Sequence, residues 1–167
     1  MKAFLILEDG TVFEGTSIGS QKEVISEIVF NTSMTGYLEV MTDPSYAGQA
    51  VVMTYPLIGN YGITPDAESK RPWVDGYIVR ELSRMPSNFR CEGTIQDFLK
   101  ENDIPGIAGI DTRALTKILR DKGTMNGMIT TDEQYELEKV LPRLKEYQTG
   151  NVVDKVTCDE TVSYTHL

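Results

Sequence analysis

The sequence predicts an α/β domain, with strands in its first half and alternating strands and helices in its second. Three observations support this. Short apolar runs bounded by turn residues fill the first 80 residues and are typical of strands. After residue 94, apolar residues recur at helical spacing between further apolar runs. With 167 residues, 40% of them hydrophobic, the chain can bury a core without disulfides or metals.

The first half predicts five strands. Residues 3–7 and 12–13 flank Asp9 and Gly10, a pair suited to the positive φ of a hairpin turn. Three more apolar or alternating runs predict strands at residues 24–30, 50–55 and 77–79.

The second half predicts alternating helices and strands. Thr94 with Asp97 forms a weak capping box that opens a short helix. Asp111 opens a longer helix, which Gly123 ends. Residues 107–110 and 125–129 predict strands, and an apolar stripe over 137–144 predicts a last helix that Pro142 should kink or shorten.

Composition argues against several classes of partner. The net charge is −9 and no run of Lys and Arg occurs, which argues against nucleic acid, since such binding depends on neutralising phosphates. The apolar amino terminus reaches Glu8 too soon for a signal peptide or a membrane span. Cys91 and Cys158 lie outside any CxxC spacing, which is typical of a reducing compartment and predicts a cytoplasmic protein.

No catalytic constellation is visible. Nucleophilic catalysis by Ser or Cys usually needs a base, and the one histidine, His166, lies next to the carboxyl terminus. Cys91 is therefore interpreted as a passive, half-buried residue. No spacing of Cys, His, Asp or Glu predicts a metal site. We expect this chain to contribute no catalytic, metal-binding or cofactor-binding residue.

Gly106 and Gly109 precede a helix, as the glycines of a phosphate loop do. Asp111, however, would occupy the helix amino-terminal donors and repel an anion, which favours turn and packing roles for both glycines. Arg113 in the first helical turn faces an unfavourable dipole. A partner carboxylate, from Asp111 or another chain, and a solvated surface arginine remain equally open.

Polar residues are densest over 32–39 and 42–49, and a similar loop covers 56–62. Such stretches form either caps and turns or loops that present donors to a ligand or partner. Asp43 and Pro44 suit the N-cap and first position of one helical turn. The residues alone favour turns.

The same stretches resemble the small chain of glutamine-dependent carbamoyl phosphate synthetase. The resemblance runs from about residue 1 to 156. It rests on long motifs in the expected order: NTSMTGY at 31–37, TDPSYAGQ at 42–49, TYP at 54–56, IGNYG at 58–62, SNFR at 87–90, GIDTRALT at 109–116 and KGTM at 122–125.

The resemblance implies a three-layer β/β/α swivelling domain over residues 1–147. Residues 148–167 would begin a linker to a glutamine amidotransferase domain, which this sequence lacks and whose Cys, His and Glu hydrolyse glutamine. The sequence of 162–167 departs from the family and is interpreted as a truncation or assembly artefact. In the family, ammonia passes to a large chain that uses bicarbonate and ATP with Mg²⁺ to make carbamoyl phosphate for pyrimidines and arginine.

One ligand residue follows from the resemblance. Ser45, in the Asp-Pro-Ser-Tyr motif, is similar to a family serine that contacts the glutamine bound in the other domain. The implied partners are the large chain and glutamine, and for Arg113 the resemblance implies a structural or interface role. The alternative is a stand-alone binding module that uses the same loops without an amidotransferase.

Overall fold

The computed structural model describes residues 1–158 and 160. The strands are β1 (Lys2–Leu7), β2 (Val12–Ser17), β3 (Val24–Asn31), β4 (Gln49–Met53), β5 (Leu57–Ile58), β6 (Gly76–Ile78), β7 (Glu81–Leu82), β8 (Gly106–Ala108) and β9 (Met125–Thr130). The helices are α1 (Tyr37–Thr42), α2 (Ile95–Glu101), α3 (Thr112–Lys122), α4 (Leu137–Glu146) and α5 (Val153–Val156), with a 3₁₀ turn at Pro44–Tyr46. The mixed α/β class predicted from the sequence is confirmed.

Seven strands close into a barrel in the order β1-β2-β8-β6-β4-β3-β9. Strands β3, β4, β6 and β8 run parallel to one another. The remaining three, β9, β1 and β2, pair in antiparallel fashion. One part of the barrel wall is therefore parallel and the other antiparallel, and all four parallel carboxyl ends lie at one rim.

Alternation along the strands separates three apolar clusters. One face of the strands, including Leu5, Ile28 and Val52, fills the barrel together with Leu115 and Leu119 of α3. The other face of β4 and β6 packs under α1 and α2. The outward residues of β1 and β9 pack under α4 through Val140 and Leu144. Helices α1 to α4 are thus each held by packing against strand residues, whereas α5 has no buried residue.

The local turn and cap predictions are confirmed. Gly10 has φ 89°, and its N–H donates to Leu7 O at 2.9 Å in the β1–β2 hairpin. Thr94 accepts a hydrogen bond from Asp97 N at 3.1 Å, and Asp111 Oδ1 accepts one from Ala114 N at 3.0 Å. Gly123 ends α3 with φ 91°.

The predicted effect of Pro142 on helix length is wrong. Helix α4 does not stop at the proline but continues to Glu146, four residues beyond it. Leu144, on the far side of Pro142, is fully buried against the β1 and β9 side chains. Burial of this leucine stabilises the last turn, since burying a side chain of this kind contributes about 1.5–3 kcal/mol, comparable to the cost of an interior proline.

No helix among the described residues combines the length and the apolar character that crossing a bilayer requires.

Barrel closure predicts a sensitive position at Gly15. A Cβ added there would clash with the carbonyl oxygen of Ala108 and lie 2.9 Å from Ile107 Cγ1, both on β8. Because β2 and β8 share only two paired positions, we expect Gly15→Ala to lower the free energy of unfolding by about 1–3 kcal/mol. Urea unfolding followed by circular dichroism measures this. Gly93→Ala is the control, because nothing lies within 4 Å of its added Cβ. Equal stabilities for the two variants would contradict this description of the closure.

Candidate functional site

Two stacked tyrosines join the 31–37 loop to the 56–62 loop. The rings of Tyr37 and Tyr61 lie 4.1 Å apart with an interplanar angle of 18°. Tyr37 Oη donates to Gly62 O at 2.9 Å and accepts from Tyr61 N at 3.1 Å. Tyr61 Oη accepts from Gly36 N at 2.8 Å. Three hydrogen bonds and one ring stack therefore fix these loops to each other.

Burial favours the neutral form of both phenols. Desolvation raises the pKa of Tyr37 and that of Tyr61 above the ordinary value for tyrosine. A neutral Tyr37 retains the proton that it donates to Gly62 O. Tyr77 is fully buried in the same cluster, and burial raises its pKa also. The pair is a structural clamp and supplies no acid or base near neutral pH.

The 43–49 turn, which contains Ser45, is tied to the same loops. Asp43 Oδ1 accepts from Ser45 N at 2.8 Å, and this caps the 3₁₀ turn as the Asp43-Pro44 pair predicts. Asn31 Nδ2 donates to Tyr46 Oη at 3.0 Å, and Asn31 Oδ1 accepts from Ser33 N at 2.8 Å. Asn31 thus connects the turn to the 31–37 loop.

The carboxyl end of the turn has a second anchor. The fully buried Ser26 Oγ lies 2.8 Å from Gly48 O and 3.1 Å from Asp75 Oδ2. Burial raises the pKa of Asp75, while the Ser26 hydrogen bond opposes that shift. Gly48 has φ 83°, and an added Cβ would lie 2.6 Å from Thr149 Cγ2. The turn is therefore held on both sides of Ser45.

Ser45 itself is exposed on this fixed turn. Among the described residues no protein group forms a hydrogen bond with its hydroxyl, although its backbone N–H is bound. A hydroxyl held in place by its backbone and free at its oxygen can donate to, or accept from, a ligand at little cost in ordering.

The other residues singled out in the sequence lie apart from a catalytic arrangement. Cys91 is half-buried, with its Sγ 3.4 Å from Gly93 O, and Cys158 is exposed. His166 lies outside the described residues. Within the described chain no group of three or more Cys, His, Asp or Glu side chains could hold a metal ion.

The start of α3 is as the sequence predicts. Gly109 adopts φ 89°, and Gly106 packs against Ile18 and Leu99, where a Cβ would lie 2.9–3.0 Å away. Asp111 uses its carboxylate to cap the helix. Arg113 is exposed and forms no ion pair with a carboxylate of the described residues. Of the two alternatives for Arg113, pairing with Asp111 is not observed.

Sequence reasoning missed the clamp and the second anchor. Tyr37 and Tyr61 are 24 residues apart and Ser26 and Asp75 are 49 apart, so no local pattern pairs them. The density of tyrosines and glycines in the two loops is the one signal that could have suggested the clamp.

A family model and the similar curated proteins all point to one family. The family model for "Carbamoyl-phosphate synthase small chain, CPSase domain" matches residues 5–129. The carbamoyl phosphate synthase small chain of Clostridium perfringens is 56% identical over 161 residues, covering 96% of this chain and 46% of that protein. The protein of the same name from Syntrophotalea carbinolica is 50% identical over 169 residues, covering 99% and 45%.

The chain therefore spans less than half the length of these curated relatives. Among solved structures, an aminopeptidase from Aneurinibacillus sp. strain AM-1 aligns over 77% of this chain and 30% of its own, with 16% identity and a TM-score of 0.43. That likeness is too low to bear on fold or function.

The contribution of the tyrosine clamp to the free energy of unfolding can be measured. Tyr37→Phe leaves Gly62 O and Tyr61 N without their partner, and an unsatisfied buried polar group costs about 1–3 kcal/mol. We expect a loss of that size in the free energy of unfolding, measured by urea titration. Tyr55→Phe is the control, since Tyr55 is 40% exposed and should change stability by less than about 0.5 kcal/mol. Equal losses in the two variants would contradict a specific contribution from the Tyr37 hydroxyl.

Proposed function

The chain belongs to the carbamoyl-phosphate synthase small-chain family and corresponds to its amino-terminal part, and from this we propose that it is the non-catalytic amino-terminal part of the small chain of a glutamine-hydrolysing carbamoyl-phosphate synthase. The observation that carries the proposal is the family match over residues 5–129. In the proposed role the chain helps to form a glutamine site and docks on a large chain. Glutamine-derived ammonia then serves carbamoyl phosphate synthesis for pyrimidines and arginine.

We also propose the finer domain description. Residues 1–147 form a three-layer β/β/α swivelling domain, and residues 148–167 begin the linker to an amidotransferase domain. The division of the barrel wall into a parallel and an antiparallel part supports two sheet layers, with α1 and α2 covering the parallel one. The end of α4 at Glu146 supports the boundary.

The chemistry is proposed to lie elsewhere in the parent enzyme, which we place in the cytoplasm. The chain's one histidine is His166, so Cys91 has no imidazole partner among the described residues. Glutamine hydrolysis would then use the Cys, His and Glu of the amidotransferase domain, and ATP with Mg²⁺ would bind to the large chain.

Ser45 is proposed as the residue that this chain contributes to the glutamine site. Its hydroxyl forms no hydrogen bond within the described part of the chain, and the Asp43 cap fixes its backbone. Asn31 and Ser26 hold the turn on either side of it. A rigid turn of this kind can present one hydroxyl to a ligand bound mainly by another domain.

Exposed apolar side chains support docking on a partner. Phe89 is 98% exposed and Met85 82% exposed. Phe89 lies on a fixed turn, because Asn88 Oδ1 accepts from Arg90 N at 2.9 Å and Arg90 Nη2 donates to Asp66 Oδ1 at 2.7 Å. A partner can cover an aromatic side chain on an ordered turn with little cost in ordering the loop.

The role of Ser45 is tested in the full-length small chain assembled with its large chain. We expect Ser45→Ala to raise the glutamine KM about two- to tenfold, as loss of one neutral hydrogen bond would. Activity with free ammonia should stay unchanged, because ammonia bypasses the glutamine site.

Ser33→Ala is the matched control, since Ser33 is an exposed serine of the neighbouring loop. Unchanged glutamine kinetics in Ser45→Ala, or an equal change in Ser33→Ala, would remove Ser45 from the site.

Docking is tested by titrating the large chain against this chain in isothermal calorimetry. We expect a one-to-one complex, whose dissociation constant Phe89→Ser raises at least fivefold, as for an anchor residue contributing about 1 kcal/mol or more. Val153→Ser, which changes another exposed apolar residue, should have little effect. Absence of any complex would favour the stand-alone binding module over the small-chain role.

A further inference from the structure

A groove of about 860 Å³ lies at the rim where the four parallel strands end. Thr32 follows β3, Thr54 follows β4, Arg80 follows β6 and Asp111 follows β8, and all four residues line the groove. The rim is held by hydrogen bonds from Thr54 N to Asn31 O at 3.0 Å and from Gly109 N to Arg80 O at 2.9 Å. Carboxyl ends of parallel strands are the usual place for ligand sites in α/β proteins.

The groove is basic although the chain is acidic. Its lining contains four cationic side chains, namely Arg80, Arg113, Lys117 and Arg120. All four are exposed. Of these four, Arg120 alone forms an ion pair with a described residue, Asp121, at 3.2 Å. The one acidic residue in the lining is Asp111, and its carboxylate caps α3. A chain with net charge −9 thus concentrates a quarter of its 16 basic residues in one groove.

We propose that this groove, called here the α3 groove, binds an acidic segment of another polypeptide. Arg113, Lys117 and Arg120 stand at positions i, i+4 and i+7 of α3, which places them on one face of the helix. At 1.5 Å per residue they span about 10 Å. A row of cations of that length matches several carboxylates in sequence along an acidic segment.

The same geometry disfavours a single small anion. A phosphate site gathers backbone N–H groups and cations around one point, commonly at a helix amino terminus. In the α3 groove the Asp111 carboxylate accepts from Ala114 N and repels an anion there. Three of the four cations follow one another along α3, and the fourth, Arg80, lies after β6. Nucleic acid is disfavoured by the acidic remainder of the surface.

We take the large chain to be the polypeptide that carries this acidic segment. This choice of partner rests on the function proposed above. The charge and placement of the α3 groove do not depend on that function. The groove can therefore be tested both with and without the large chain.

The direct test uses a fluorescein-labelled decaglutamate peptide and fluorescence anisotropy on this chain at about 20 mM salt, where screening is weak. We expect saturable binding that Arg113→Glu combined with Lys117→Glu weakens at least tenfold. Glutamate at position 113, in the first turn of α3, suits the helix dipole, and position 117 is exposed, so the fold should survive. Arg113→Gln combined with Lys117→Gln provides a second variant and should weaken binding in the same direction.

Lys100→Glu combined with Lys145→Glu is the control, because both lysines are exposed, lie outside the groove and change the net charge equally. This control should retain binding within about threefold, because neither lysine lines the groove. Equal weakening by both pairs would show non-specific attraction and overturn the proposal. Displacement of the peptide by inorganic phosphate at equal charge concentration would overturn it too, in favour of a small-anion site.

Size-exclusion chromatography with the large chain separates failure of the groove from failure of the proposed function. If Arg113→Glu combined with Lys117→Glu abolishes the complex and the Lys100 and Lys145 control keeps it, the result supports the groove as the docking surface. A complex that this variant leaves intact overturns the groove as the docking surface and keeps the small-chain role. Decaglutamate binding without any large-chain complex refutes the small-chain role and keeps an acidic-segment site.

Discussion

The arrangement of the loops depends on one constraint, which is that buried backbone groups in an irregular segment need hydrogen-bond partners. Side chains serve several backbone groups of the 31–37 and 56–62 loops, while β5 within the second loop also pairs with β7. The hydroxyls of Tyr37 and Tyr61 serve Gly36 N, Tyr61 N and Gly62 O. Because each tyrosine belongs to one loop and serves the other, neither loop can move without breaking a bond in its neighbour.

The barrel determines where this unit lies. Parallel pairing of β3, β4, β6 and β8 brings their carboxyl ends to one rim, where the α3 groove opens. The connection from β3 to β4 contains α1 and the 43–49 turn, and Asn31 at the end of β3 holds Tyr46 of that turn. Strand order therefore links the α3 groove and the Ser45 turn to a common scaffold. Binding surfaces placed in this way need little ordering when a partner arrives.

The sequence predicted the features that depend on local chemistry. The Asp9-Gly10 turn, the caps at Thr94 and Asp111 and the end of α3 at Gly123 follow from residues within a few positions. Barrel closure depends on pairing of β2 with β8, about 90 residues away, and no local pattern contains that pairing. Helix α4 continues past Pro142 for the same reason, because burial of Leu144 against distant strands outweighs a local preference. Ser45 was predicted from the family resemblance, because nothing in the chain alone distinguishes one exposed serine from another.

The central claim is that the 31–37 loop, the 56–62 loop and the 43–49 turn form one rigid unit before any ligand binds. Amide hydrogen exchange of this chain measures it directly through Gly36, Tyr61 and Ser45, whose N–H groups are held by Tyr61 Oη, Tyr37 Oη and Asp43 Oδ1. We predict that Gly36 and Tyr61 exchange slowly with the same opening free energy, and that Ser45 is protected relative to an unstructured peptide. Exchange of all three at the rate of an unstructured loop would contradict the claim.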